Sequence, residues 1–217
     1  MPTRRARKAP PTEEISKNLY FDRTFNCEAV KITPGEYYFT NKNMAIVTVL
    51  GSCISACISD VKNGIGGMNH YMLPDSALHS KDDPLSEMMR YGSYAMEILI
   101  NEILKNGGQR ENLEAKIFGG GNVLHGFNAL NIGERNAAFV RHYLKQEGIL
   151  ITGEDLVDSY SRKVYFFPRT AEVFVKKIKI ASNQQLIKRE QRYVDYINGK
   201  NIAGDVELFW STNLPNR

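Results

Sequence analysis

A cysteine behind two small residues, a histidine one hairpin further along and a threonine just upstream form a set that could carry covalent acyl chemistry. Cys53 follows Gly51-Ser52 at the end of the apolar run Val47-Thr48-Val49-Leu50. A strand that stops in a turn of small residues can hold one side chain at its lip with backbone N–H donors beside it, which suits a nucleophile. A thiol with a pKa near about 8.5 is mostly protonated at neutral pH, so it needs a base or a positive field to become thiolate. The candidate bases are His70, His79, His125 and His142. If residues 54–59 and 64–72 pair as a hairpin through Lys62-Asn63-Gly64, the end of the second strand returns to the start of the first and brings His70 beside Cys53. The expectation is that sulfur and imidazole share a solvent-reachable pocket. His142 decorates the polar face of a helix, His79 sits in a polar loop, and His125 follows a glycine loop.

An imidazole base must be held in one tautomer, and the Thr48 hydroxyl or a backbone carbonyl could do this. Oxyanion or cleft positions are Gly51 and Ser52, together with the run Gly119, Gly120, Gly121 and Asn122, where a backbone without side chains can approach a ligand or present N–H groups. Each residue also has a plainer reading. An intracellular cysteine is usually a small buried hydrophobe, a histidine in an apolar strand a hydrogen-bonded structural residue, and threonine a good strand former. The glycine run has neither the Lys-Ser/Thr of a phosphate loop nor the spacing of a dinucleotide fingerprint, so tight packing is its simplest explanation. Cys53 and Cys57 lack a second close Cys or His pair, so no metal site is expected. No cofactor is expected either.

The elements around these residues follow from periodicity. Strands are expected at residues 29–32, 36–40, 45–50, 54–59 and 64–72, separated by short turns and therefore antiparallel neighbours. Helical spacing then sets in after Asp83-Pro84 and runs to Asn106-Gly107-Gly108. Further strands are expected at 115–118, 149–156, 163–167 and 172–180, with a second helix over 133–147. The order suits an α+β chain: an α/β/β sandwich of mostly antiparallel strands with two main helices on one face. A polar helical stretch over 184–197 and a short run over 206–210 read as a C-terminal extension. The division expected is a disordered basic tail over 1–15, a catalytic domain over 16–181 and the extension over 182–217.

Arg4, Arg5, Arg7 and Lys8 account for the whole excess of 28 basic over 24 acidic side chains. The remainder is balanced, which argues against a nucleic-acid footprint on the folded body. No secretory signal or run of about 18–20 apolar residues is present, so a cytoplasmic protein is expected. Three cysteines form no disulfide framework. On a strand rising about 3.3 Å per residue, Cys53 and Cys57 stand roughly 13 Å apart, too far to bridge. This also makes Cys57 a poor resolving thiol for a redox role.

The motifs Pro34-Gly35-Glu36-Tyr37-Tyr38, Leu50-Gly51-Ser52-Cys53, Gly66-Gly67-Met68-Asn69-His70-Tyr71-Met72-Leu73-Pro74, Ala115-Lys116-Ile117-Phe118-Gly119-Gly120-Gly121 and Asn131-Ile132-Gly133-Glu134-Arg135-Asn136 closely resemble the CheD family of chemoreceptor glutamine deamidases. The resemblance runs from about residue 20 to 180. It implies a cysteine hydrolase of CNF-toxin-like fold, with Cys53 as nucleophile, His70 as general base and a threonine as third member. The family threonine can lie six residues before the cysteine, where this chain has Val47, whereas Thr48 lies five before. The loop over 155–161, glycine-rich in relatives, here contains Val157-Asp158-Ser159. The partners implied are methyl-accepting chemoreceptor helices and a CheC-type chemotaxis phosphatase, and the chemistry could extend to receptor methyl esters. The competing class is a non-catalytic adaptor that binds receptors or the phosphatase.

Overall fold

The computed structural model describes residues 18–73, 84–122, 132–178 and 184–199. His79, His125, the basic N-terminal stretch and the run over 206–210 lie outside the described residues. The chain forms β1 (Leu19–Asp22), β2 (Cys27–Lys31), β3 (Tyr37–Thr40), β4 (Ala45–Leu50), β5 (Ile54–Asp60) and β6 (Ile65–Asn69), then α1 (Pro84–Lys105), β7 (Glu114–Gly119) and α2 (Ile132–Gln146). β8 (Leu150–Leu156), β9 (Ser161–Phe167), β10 (Glu172–Ile178) and α3 (Gln184–Gly199) follow. One sheet has the order β1-β2-β4-β9-β10 and the other β3-β6-β5-β7-β8.

Three layers result, and the apolar periodicities show why. In β5 every residue is buried, because the strand faces helices on one side and the other sheet on the opposite side. Ile54, Ala56 and Ile58 join Met96, Leu99, Ile103, Val140 and Leu144 in a core beneath α1 and α2. Cys53 and Cys57 point the other way and join Met68, Ile46, Leu50, Val164 and Phe166 between the sheets. The outer strands β8 and β10 alternate exposed and partly buried positions, as strands with one solvated face do.

Neighbouring strands in sequence are not always neighbours in space. β4 and β5, separated by only Gly51-Ser52-Cys53, enter different sheets, so the expected run of antiparallel neighbours breaks at the catalytic candidate itself. β3 also changes sheet and pairs with β6, which leaves β2 and β4 to pair in parallel. β7 and β8 are likewise parallel, joined through α2, because a parallel pair needs a crossover. β1, which the periodicity did not reveal, pairs antiparallel with β2 and exposes three of its four residues.

Candidate active site

The β5–β6 hairpin forms as its turn residues require, with Cys57 opposite Met68 and Asp60 opposite Ile65. The pairing continues past the strand end: Ile54 and Tyr71 exchange backbone hydrogen bonds of 2.8 and 2.9 Å. This register returns His70 to the neighbourhood of Cys53. His70 shares the parity of Met68 and Met72, which lie in the core between the sheets, and Cys53 lies in that same core. Thr48 approaches from the opposite sheet. It shares the parity of Ile46 and Leu50, which face inward, whereas Val47 packs on the outer face with Ala29, Ala45 and Tyr165. Counting residues back from Cys53 along one strand therefore misleads, since the chain changes sheet between them.

The hydrogen bonds at Thr48 determine the tautomer of His70. A hydroxyl has one proton, and Thr48 Oγ1 donates it to the carbonyl oxygen of Ile32 at 2.9 Å. The 2.7 Å contact between Thr48 Oγ1 and His70 Nδ1 must then be an N–H donated by the ring. Nε2 is left with its lone pair, and it has no hydrogen-bond partner among the described residues. Burial and, secondarily, the Arg189 guanidinium hold the imidazole pKa well below its ordinary value, so the ring is neutral and carries its lone pair at Nε2.

The backbone around Cys53 is fixed from three directions. Asn136 on α2 donates from Nδ2 to the Ser52 carbonyl at 2.9 Å and accepts from Leu73 N–H at 3.0 Å. In the glycine run, Gly120 and Gly121 donate their N–H groups to the carbonyls of Cys53 and Gly51 at 2.8 and 2.7 Å, and Asn122 donates to that of Asp158. These donors are used in scaffolding, while Gly119 explains why the run lacks side chains: a Cβ there would sit 2.1 Å from the Cys53 carbonyl oxygen, and its φ is +113°. The loop over 155–161 is clamped by buried Arg162, whose Nη2 bonds Asp155 at 2.7 Å and the Val157 carbonyl at 2.6 Å.

Gly51 and Ser52 present their N–H groups to a carboxylate from another part of the chain. Glu190 on α3 accepts from Gly51 N–H at 2.6 Å, Ser52 N–H at 2.8 Å and Ser52 Oγ at 2.7 Å. One donor atom each from Cys53, His70 and Glu190 lies within 4.8 Å of the others. Such a trio could ligate a divalent ion; both Glu190 oxygens also accept hydrogen bonds. The thiol pKa is pushed well up, first by burial and then by the charge of Glu190 and a hydrogen bond to it. Cys53 and His70 are both fully buried. Sulfur and imidazole thus lie in one neighbourhood, but the solvent-reachable pocket expected for them is not seen: both are sealed from solvent, with Glu190 of α3 beside them. His142, the fourth histidine, is exposed on α2.

Two site residues escaped the sequence reading. Asn136 is a polar residue within the buried face of α2, among Ile132, Ala137 and Val140. Glu190 is an acid in the stripe Leu186, Glu190, Tyr193, Ile197, at spacings that share one helix face. A buried acid in such a stripe requires donors, which was the available signal.

The family model described as CheD chemotactic sensory transduction matches residues 72–177. A probable chemoreceptor glutamine deamidase CheD of Methylobacillus flagellatus is 63% identical over 92% of this chain and 98% of its own length. Proteins of the same description from Thiobacillus denitrificans and Herminiimonas arsenicoxydans are each 60% identical over 91% of this chain and 97% of theirs. The first alignment includes 200 of the 217 residues, a span that cannot leave out α3, so the likeness reaches beyond residue 180. With identity of this order across nearly the full length of both sequences, the chain belongs to the CheD family.

Proposed function

We propose that this protein deamidates glutamine side chains on the cytoplasmic helices of methyl-accepting chemoreceptors, with Cys53 as nucleophile. The observation that carries the reading is the Thr48–His70 contact, which leaves Nε2, without a partner among the described residues, as the base beside Cys53. His70 Nε2 takes the thiol proton as Sγ attacks the side-chain amide carbon. The developing oxyanion is held by backbone N–H groups of Gly51 and Ser52, which already bind a carboxylate here. The tetrahedral adduct collapses with loss of ammonia, protonated by the imidazolium, and leaves a thioester. Water activated by Nε2 then releases the acid, so that glutamine and water become glutamate and ammonia. Thr48 acts throughout as a positioning residue.

The same acyl chemistry extends to receptor glutamate methyl esters, whose leaving group is better than an amide's. The relatives' description as chemoreceptor deamidases supports receptors as the principal partner; the proposal adds a CheC-type phosphatase as a regulatory partner and sets the reaction in the cytoplasm. No helix among the described residues is long and apolar enough to cross a membrane. Incubation with a receptor cytoplasmic fragment is expected to add about 1 Da per converted glutamine, and Cys53→Ala to abolish the conversion. Tight binding without any mass change would replace this reading with the adaptor.

A further inference from the structure

Glu190 is fully buried, and a carboxylate is not withdrawn from water without several good donors. Its donors are the backbone N–H groups of Gly51 and Ser52, the two residues before the nucleophile, and the Ser52 hydroxyl. Chemically, a glutamate side chain held there is what deamidation of a glutamine would leave behind.

The rest of α3 is seated to match. Arg189 donates from Nη2 to the Val49 carbonyl at 2.8 Å, the Tyr193 hydroxyl is hydrogen-bonded to that of Tyr91, and Ile197 enters the core between the sheets. Tyr193 also lies against Gly35, where an added Cβ would come within 3.2 Å of its hydroxyl. Arg189, Glu190, Tyr193 and Ile197, on one face of the helix, thus lie over the site.

We propose that α3 is a built-in product mimic: it lies over the site where a substrate helix would dock, places the Glu190 carboxylate where a deamidated side chain would lie, and must leave before a receptor helix enters. This rests on the deamidase reading for the identity of the mimicked group, though not for the occlusion itself. Wild-type protein is therefore latent at Cys53. The raised thiol pKa agrees, since Glu190 contributes to it by charge and by hydrogen bond.

The test uses the full chain and two substitutions. Glu190→Ala removes the anchoring carboxylate. Alkylation of Cys53 by iodoacetamide, followed by peptide mapping to separate it from Cys27 and Cys57, is expected to accelerate tenfold or more over wild type, and receptor deamidation with it. An unchanged or slower alkylation rate overturns the proposal. Faster alkylation without deamidation by either protein instead sinks the deamidase reading and leaves the occlusion standing.

Glu190→Gln tests the mimicry itself, because it offers the enzyme a carboxamide on its own helix. Conversion of the new carboxamide to glutamate, with release of ammonia, is expected at position 190 and is expected to vanish when Cys53→Ala is added. Persistence of that carboxamide in a preparation that deamidates receptor fragment would show that α3 covers the site without imitating product.

Discussion

Thr48→Val removes one hydroxyl and leaves the branching of the side chain intact. Two buried groups lose their partner: the Ile32 carbonyl and the His70 Nδ1–H, at 2.9 and 2.7 Å from Thr48 Oγ1. Leaving such groups unsatisfied costs about 1–3 kcal/mol each, so the variant is expected to lose roughly 2–6 kcal/mol of folding stability. The kinetic effect is separable. His70 becomes imidazolium in the transition state, where a hydrogen bond from a charged donor contributes about 1.5–3 kcal/mol, so kcat should fall by about tenfold to a hundredfold. KM should hardly move, because Thr48 is buried and meets the ring rather than substrate. The assay is steady-state ammonia release from a receptor fragment, at a temperature where all variants are folded by circular dichroism. Thr48→Ser, which restores the hydroxyl, is the control. A wild-type kcat in the valine variant, or an equal loss in the serine variant, refutes the positioning role.

Two further outcomes concern stability. Arg162 is fully buried and its partner Asp155 is 25% exposed; Arg162→Met is expected to destabilise the fold by about 3 kcal/mol, read as a lower urea midpoint. Burial and the Arg189 charge depress the folded-state pKa of His70, so below about 6.5 the unfolded chain takes up a proton that the native site refuses. Stability should then fall with decreasing pH, with a slope approaching about 1.4 kcal/mol per pH unit, until the folded pKa is reached. His70→Gln should lack this component, and identical pH profiles for variant and wild type would contradict the assignment.

Much of the site was legible in local patterns, because local patterns are set by short-range physics. The turn Lys62-Asn63-Gly64 between two apolar runs specified the β5–β6 hairpin, and hairpin register alone returns His70 toward Cys53. The helices over 84–105 and 132–146 were visible because a 3.6-residue period is a property of one segment. What the sequence left undecided are relations between segments that have no local signature. That Thr48 rather than Val47 meets the histidine depends on β4 and β5 entering different sheets, which inverts the parity argument for a single strand. The parallel pairing of β2 with β4 depends on β3 leaving to join β6. Glu190 stands 138 residues from Ser52 in the chain, and no periodicity announces which donors a distant acid will find. Segment identity was written in spacing, whereas the closure of the site by α3 arose only from packing and from the need of a buried charge for partners.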